Sequence, residues 1–133
     1  VEDSEEEAPQ AVSGGAPPAC LVAAHDEADH VAALALGRLA AASVVPHPLL
    51  AAEVFELIET RGCKAVLVSA VPPHAVPHAS ALAKRLRRRF PGLKILVGLW
   101  TRAADIERAR ARLLQSGADE VVTTFPEALE RLR

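Results

Sequence analysis

The sequence predicts a doubly wound α/β domain, a three-layer structure in which a sheet of five parallel strands, in the order 2-1-3-4-5, lies between two layers of helices. Three observations predict it. Short apolar runs alternate five times with longer stretches of helical period. Three of the runs are nearly continuous aliphatic, as strands covered on both faces must be. The chain has 133 residues, half of them hydrophobic, which suffices for one core of this size.

The elements follow in order along the chain. The first strand is Cys20 to Ala24, and a helix of about Asp26 to Ala42 follows it. Ser43-Val44-Val45 is a short strand stopped by Pro46 and Pro48, which suits a sheet edge because proline removes a ladder donor. The second helix starts near Pro48, whose missing N–H is harmless in a first turn, and stops before Gly62. Ala65 to Ser69 is the third strand, and the third helix runs from near Pro77 to the residue before Pro91-Gly92. Lys94 to Gly98 is the fourth strand. The helix after it takes Thr101 as N-cap and has Gly117 just past its end. Glu120 to Thr123 is the last strand, and the final helix opens with Thr124 and Glu127 in capping-box spacing around Pro126. At this length the strand order is the flavodoxin-like one.

Charge divides the chain in two. Residues 1–18 hold five acids and no base, together with Pro9, Pro17, Pro18, Gly14 and Gly15. Such a segment buries too little apolar surface to offset its ordering entropy. It is read as a disordered acidic linker, and residues 19–133 as the folded domain. The chain starts at Val1 and contains no Met, and it is read as a fragment of a longer protein. No apolar run approaches eighteen residues, so no segment spans a membrane by itself. An aromatic content of 3% argues against a stacking platform for nucleic acid. Two cysteines, Cys20 and Cys63, are too few for a disulfide scaffold or a zinc knuckle. A reducing compartment is the easier reading, with buried inert thiols as the default. The two begin neighbouring stretches in the 2-1-3 order and are expected near each other.

In open parallel sheets ligands bind beyond the carboxyl ends of the strands. That edge carries Ala24-His25-Asp26, Pro46-His47, Ser69 with the loop Ala70 to Val76, Gly98-Leu99-Trp100 and Thr123-Thr124. The single Trp and two of the five His are thus expected on one rim. The candidate binding residues are His25, Ser69, Gly98, Trp100 and Thr123, with the indole plugging a pocket rather than lining it.

Enzyme chemistries fit this rim poorly. A phosphorylation receiver needs clustered acids after the first strand, a phosphoacceptor Asp ending the third and a later Lys. Here Ser69 stands at the acceptor position, and no Lys follows the later strands. No Gly-rich phosphate loop follows the first strand, which leads into His25-Asp26-Glu27-Ala28. Position suggests no Ser-His-acid or Cys-His pair, and the domain is expected not to be an enzyme. His25 and His30 lie about 140° apart around a helix, a poor geometry for a shared metal, so no metal site is expected. In the run Lys84-Arg85-Leu86-Arg87-Arg88-Arg89, the stripe Leu82, Leu86 and Phe90 faces inward. Lys84, Arg85, Arg87, Arg88 and Arg89 fan across the opposite face, either as a solvated surface or as a contact for anionic lipid or an acidic partner.

The rim residues resemble those of cobalamin-binding domains of the methionine synthase and mutase type. That family carries Asp-x-His-x-x-Gly after its first strand, Ser-x-Leu after its third and Gly-Gly after its fourth. In this sequence His25 matches the axial cobalt ligand, Ala23 replaces the Asp and Ala28 the Gly. Ser69-Ala70-Val71 matches the second motif approximately, and Gly98-Leu99 keeps one Gly of the third. The chain also resembles the degenerate, cobalamin-binding-like C-terminal domain of autoinducer exporter (AI-2E-like) family permeases. Asp26-Glu27-Ala28-Asp29, Ser69-Ala70-Val71-Pro72-Pro73, Lys84-Arg85-Leu86-Arg87 and Val97-Gly98-Leu99-Trp100 carry that likeness. The resemblance implies a non-catalytic cytosolic regulatory or interaction domain of a membrane permease, on the cytoplasmic side of the inner membrane. It also implies the parent's membrane domain and anionic lipid as partners, with no nucleic acid and no cofactor. The alternative it implies is binding of cobalamin or another tetrapyrrole with His25 as axial ligand.

Overall fold

The computed structural model describes residues 19–101 and 105–132. Strands and helices alternate as β1 (Ala19–Ala23), α1 (Glu27–Ala40), β2 (Ser43–Val44), α2 (Ala51–Arg61), β3 (Ala65–Ala70), α3 (Ala75–Arg89), β4 (Lys94–Leu99), α4 (Ile106–Gln115), β5 (Glu120–Val122) and α5 (Phe125–Leu132). The sheet is wholly parallel, in the order β2-β1-β3-β4-β5, with the short proline-stopped β2 at one edge. This is the expected flavodoxin-like arrangement. The expected acidic linker, 1–18, lies outside the described residues. No helix among the described residues is long and apolar enough to cross a membrane.

The two-residue period of a strand sends alternate side chains to opposite faces. Cys20, Val22, Val66, Val68, Ile95 and Val97 face one side, where α2, α3 and α4 cover them. Leu21, Leu67, Leu96 and Val122 face the other, under α1 and α5. Leu67 and Leu96 are completely buried, and each contributes about 1.5–3 kcal/mol of burial free energy.

Several helix starts differ from expectation. The chain passes Pro48 and Leu49 before α2 begins at Ala51, where the Glu53 carboxylate accepts the Leu50 N–H at 2.8 Å. Helix α3 begins at Ala75, two residues before Pro77. Proline is tolerated there because the first four N–H groups of a helix have no intrahelical partner. Thr101 is not the residue flanking α4; Asp105 is, and residues 102–104 lie outside the described residues. At α5 the capping box is offset. Thr124 Oγ1 accepts the Glu127 N–H at 3.3 Å, but the Glu127 carboxylate accepts from Thr123 N at 3.0 Å.

The cysteine expectation needs correction. Cys20 and Cys63 are not inert thiols but form a disulfide, their Cα atoms 6.2 Å apart, within the usual range for such a bridge. The pairing ties the turn after α2 to β1. It also removes the cysteine count as an argument for a reducing compartment.

The opposite edge of the sheet is held by Arg87, a member of the basic run. Its guanidinium donates to the carbonyls of Gly117, Pro91 and Leu93 at 2.7–3.1 Å and to the Asp119 carboxylate at 2.8 Å. Asp119 in turn accepts the Ile95 N–H at 2.8 Å. Arg87 therefore joins α3 to the turns flanking β4 and β5 and is not a free surface charge. Arg87→Ala is expected to lower the unfolding free energy by about 2–3 kcal/mol, because several carbonyls lose their donor. Arg88→Ala on the exposed side should stay within about 0.5 kcal/mol. Urea titration of both variants checks this.

Candidate functional site

Across the carboxyl ends of the strands, Ala23, Ser69, Gly98 and Val122 stand side by side in register. They share the parity of Leu21, Leu67 and Leu96 and so face α1 and α5. Three of the four are small, which leaves a trough. Trp100, two residues beyond Gly98, lays its indole into that trough. A Cβ on Gly98 would overlap the ring. The indole Nε1 donates to Ser69 Oγ at 2.8 Å, and the ring meets Phe125 edge to face at 4.8 Å between centroids.

Ser69 is completely buried, and its hydroxyl donates to the Asp29 carbonyl at 2.9 Å. Asp29 is itself buried in the first turn of α1. Its Oδ2 accepts the N–H of His25 at 2.9 Å and of Asp26 at 3.1 Å, and its Oδ1 accepts the N–H of Val71 at 2.7 Å. Asp26 reciprocates by accepting the Asp29 N–H at 3.2 Å, completing a capping box. Both carboxylates sit where the positive end of the helix dipole favours them. The loops after β1 and β3 are thereby stitched together, with Ala24 N also donating to Ser69 O at 2.9 Å.

The expected single rim is in fact two sites. Ser69, Gly98 and Trp100 meet as described, but His25 does not join them. Its exposed ring stacks on His78 of α3, with centroids 3.9 Å apart and planes 11° apart. His47 lies near the same space, and its ring stacks on His30 at 5.5 Å. Thr123 hydrogen-bonds to Glu127 rather than to either group. Parity turns Thr123 away, since its neighbour Val122 faces the trough, whereas His25 lies beyond the end of β1, in the bend before α1, and is carried over to α3. Among the described residues no three His, Cys, Asp or Glu side chains gather as a metal ion would need.

Of the five bases on α3, Arg87 is engaged as above. Arg89 pairs with Glu59 of α2 at 2.7 Å and lies over the Phe90 ring at 4.8 Å. Lys84, Arg85 and Arg88 are exposed, with no ion pair among the described residues. The expected five-base face is therefore a three-base one.

Neither a protein-family model nor a curated protein matches the sequence. Solved structures do. The CheY-like protein TadZ from Pseudomonas aeruginosa PAO1 superposes with a TM-score of 0.60 at 16% identity, over 85% of this chain and 91% of that one. The signal receiver domain of an HD domain-containing protein from Pseudomonas fluorescens Pf-5 gives 0.62 at 16% identity, over 94% and 90%. An atypical orphan response regulator, described as having a phosphorylation-independent regulatory mechanism, gives 0.55 at 12%, over 86% and 91%. The fold is that of flavodoxin-like receiver domains. At these identities the likeness extends to the fold and no further.

Ser69, Gly98 and Trp100 are legible in the sequence as rim residues, whereas the place of Asp29 beside them is not among the expectations. The signal was present in Asp26 and Asp29, three residues apart before an apolar run, which is acidic capping-box spacing. Gly98→Ala is expected to lift the indole out of the trough and destabilise the chain by about 1–3 kcal/mol. Trp100 is the sole Trp, so its emission should move to longer wavelength. Unchanged emission would place the ring elsewhere.

Proposed function

We propose that this chain is a non-catalytic interaction domain that keeps the receiver architecture and works without phosphorylation. One observation carries the reading: the Trp100 indole occupies the trough at the strand ends, and its nitrogen is bonded to the hydroxyl standing at the acceptor position. Receiver-type phosphorylation needs a carboxylate acceptor and free acids beside it. The acceptor position here is a buried Ser whose hydroxyl serves as donor to Asp29 and acceptor from Trp100. The nearby acids are committed to backbone N–H groups, three of them on Asp29 alone. A carboxylate so engaged has little capacity left for a cation. The solved orphan regulator with a phosphorylation-independent mechanism supports the reading by fold.

Such a domain acts by presenting its surface to a partner. The test is to incubate the full chain with acetyl phosphate and Mg²⁺, and separately with hydroxocobalamin followed by removal of free cofactor. The expected result is no gain in intact mass and no retained colour, with Trp100 emission unchanged. A phosphorylated product would overturn the reading. Retained colour lost in His25→Ala would replace it with cobalamin binding.

The finer reading, a cytosolic module of a membrane permease beside the inner leaflet, is favoured by Lys84, Arg85 and Arg88. Near an anionic leaflet each such base is worth about 1 kcal/mol. In cosedimentation with phosphatidylserine vesicles at low salt, the charge-neutral variant Lys84→Gln with Arg88→Gln is expected to bind roughly tenfold or more weakly than the parent chain. Equal binding removes the membrane contact.

A further inference from the structure

We propose that the cleft between α2 and α3, beyond the ends of β1 and β2, is a binding site for a small organic anion with an apolar body. The proposal stands independently of the interaction-domain reading. With the trough on the α1 and α5 face filled by Trp100, open space at this edge of the sheet lies on the other face, in one cavity between α3 and α4 and in the cleft between α2 and α3. The cleft between α2 and α3 has a volume of about 270 Å³, just below the roughly 300–1,000 Å³ typical of small-ligand pockets.

The lining has a definite chemistry. Its floor is aliphatic: Val22 from β1, Val45 following β2 and Leu82 from α3. The ionisable side chains around it are His25, His47, His78 and Arg85. Three imidazoles and a guanidinium offer N–H donors, and no acidic side chain lines the cavity. On α3, His78, Leu82 and Arg85 are spaced i, i+4 and i+7, which sets them along one helical face toward the cleft. The stacked pair His25 and His78 spans from the end of β1 to α3 and fixes the cleft's inner corner. Arg85 is exposed and has no ion-pair partner among the described residues, unlike Arg87 and Arg89 of the same helix.

This combination selects a ligand class. A cation meets no counter-charge here. An inorganic anion leaves the aliphatic floor wet. A neutral apolar molecule leaves the guanidinium unused. A carboxylate or phosphate monoester on a short apolar body satisfies all three features, since charge-assisted hydrogen bonds from Arg are among the strong ones. The Cys20–Cys63 disulfide also ties β1, which supplies Val22 of the floor, to the turn ending α2, one of the two walls.

The test uses the full chain and a matched series of probes, hexanoate, hexyl phosphate, hexanol and hexylammonium, read by amide chemical-shift titration. At least one of the two anions is expected to bind saturably in the millimolar range or tighter and to move the resonances of Ala24, His47 and His78. It should bind at least about tenfold more tightly than hexanol or hexylammonium. Arg85→Gln is expected to weaken anion binding about fivefold or more. His78→Phe, which keeps a ring for His25 to stack on, should weaken it while preserving the fold. Lys84→Gln, one residue away and outside the lining, should leave the affinity unchanged and so exclude a general charge effect. Saturable binding of neither anion, equal binding of all four probes, or indifference to Arg85→Gln would each overturn the proposal. None of these outcomes bears on whether the chain accepts a phosphoryl group.

Discussion

The arrangement at the carboxyl ends of the strands depends on one short chain of hydrogen bonds: Trp100 to Ser69, Ser69 to Asp29, and Asp29 to the backbone of His25, Asp26 and Val71. Each link exists because the one before it places a group correctly. The indole reaches Ser69 only because Gly98 has no side chain in its path. Ser69 reaches Asp29 only because the capping box seats that residue at the buried start of α1. The result is a polar network in which the buried Ser69 and Asp29 both have hydrogen-bond partners, as buried polar groups require.

That network also decides what the domain can do. An open α/β sheet places its usual ligand crevice where the strand order reverses, between β1 and β3. Here the loops leaving those two strands are bonded to each other and an aromatic ring covers the small residues beside them. Space for a ligand is left on the opposite face, where the cleft between α2 and α3 gathers imidazoles and a guanidinium with no ion pair among the described residues over aliphatic side chains. The fold is shared with receiver domains, but the side chains assign the two faces differently. Function has to be argued from those side chains and not from the architecture.

The helix that walls this cleft shows how one charge run divides by geometry. Arg87 turns back to satisfy the carbonyls of two turns, and Arg89 closes on Glu59 and the Phe90 ring, while Lys84, Arg85 and Arg88 are left facing water. The first role belongs to stability and the last is available for recognition. Neighbouring bases that look alike in sequence thus differ by whether an acceptor lies within reach.

The order of elements, the parallel sheet, its strand order and the edge position of β2 were all legible in the sequence. They depend on local periodicity, on proline placement and on chain length, each readable over a few residues. Helix starts were legible only to within a few residues, because the cap at Leu50 or Asp105 depends on how the preceding loop arrives. Ser69, Gly98 and Trp100 were recognisable as rim residues, yet their grouping required the register that aligns Ser69 with Gly98, and the separation of His25 required the bend after β1 that carries it to α3. The disulfide, the bonding of Asp29 to Val71 and the meeting of Arg85 with three histidines join positions far apart in the chain. Such contacts carry no local signature. The strand order brings Cys20 near Cys63, as expected, but the bond itself, the reach of Asp29 from α1 to the loop after β3 and the gathering of Arg85 and the histidines around one cleft depend on how the helices and loops pack on the sheet, which tertiary structure alone decided.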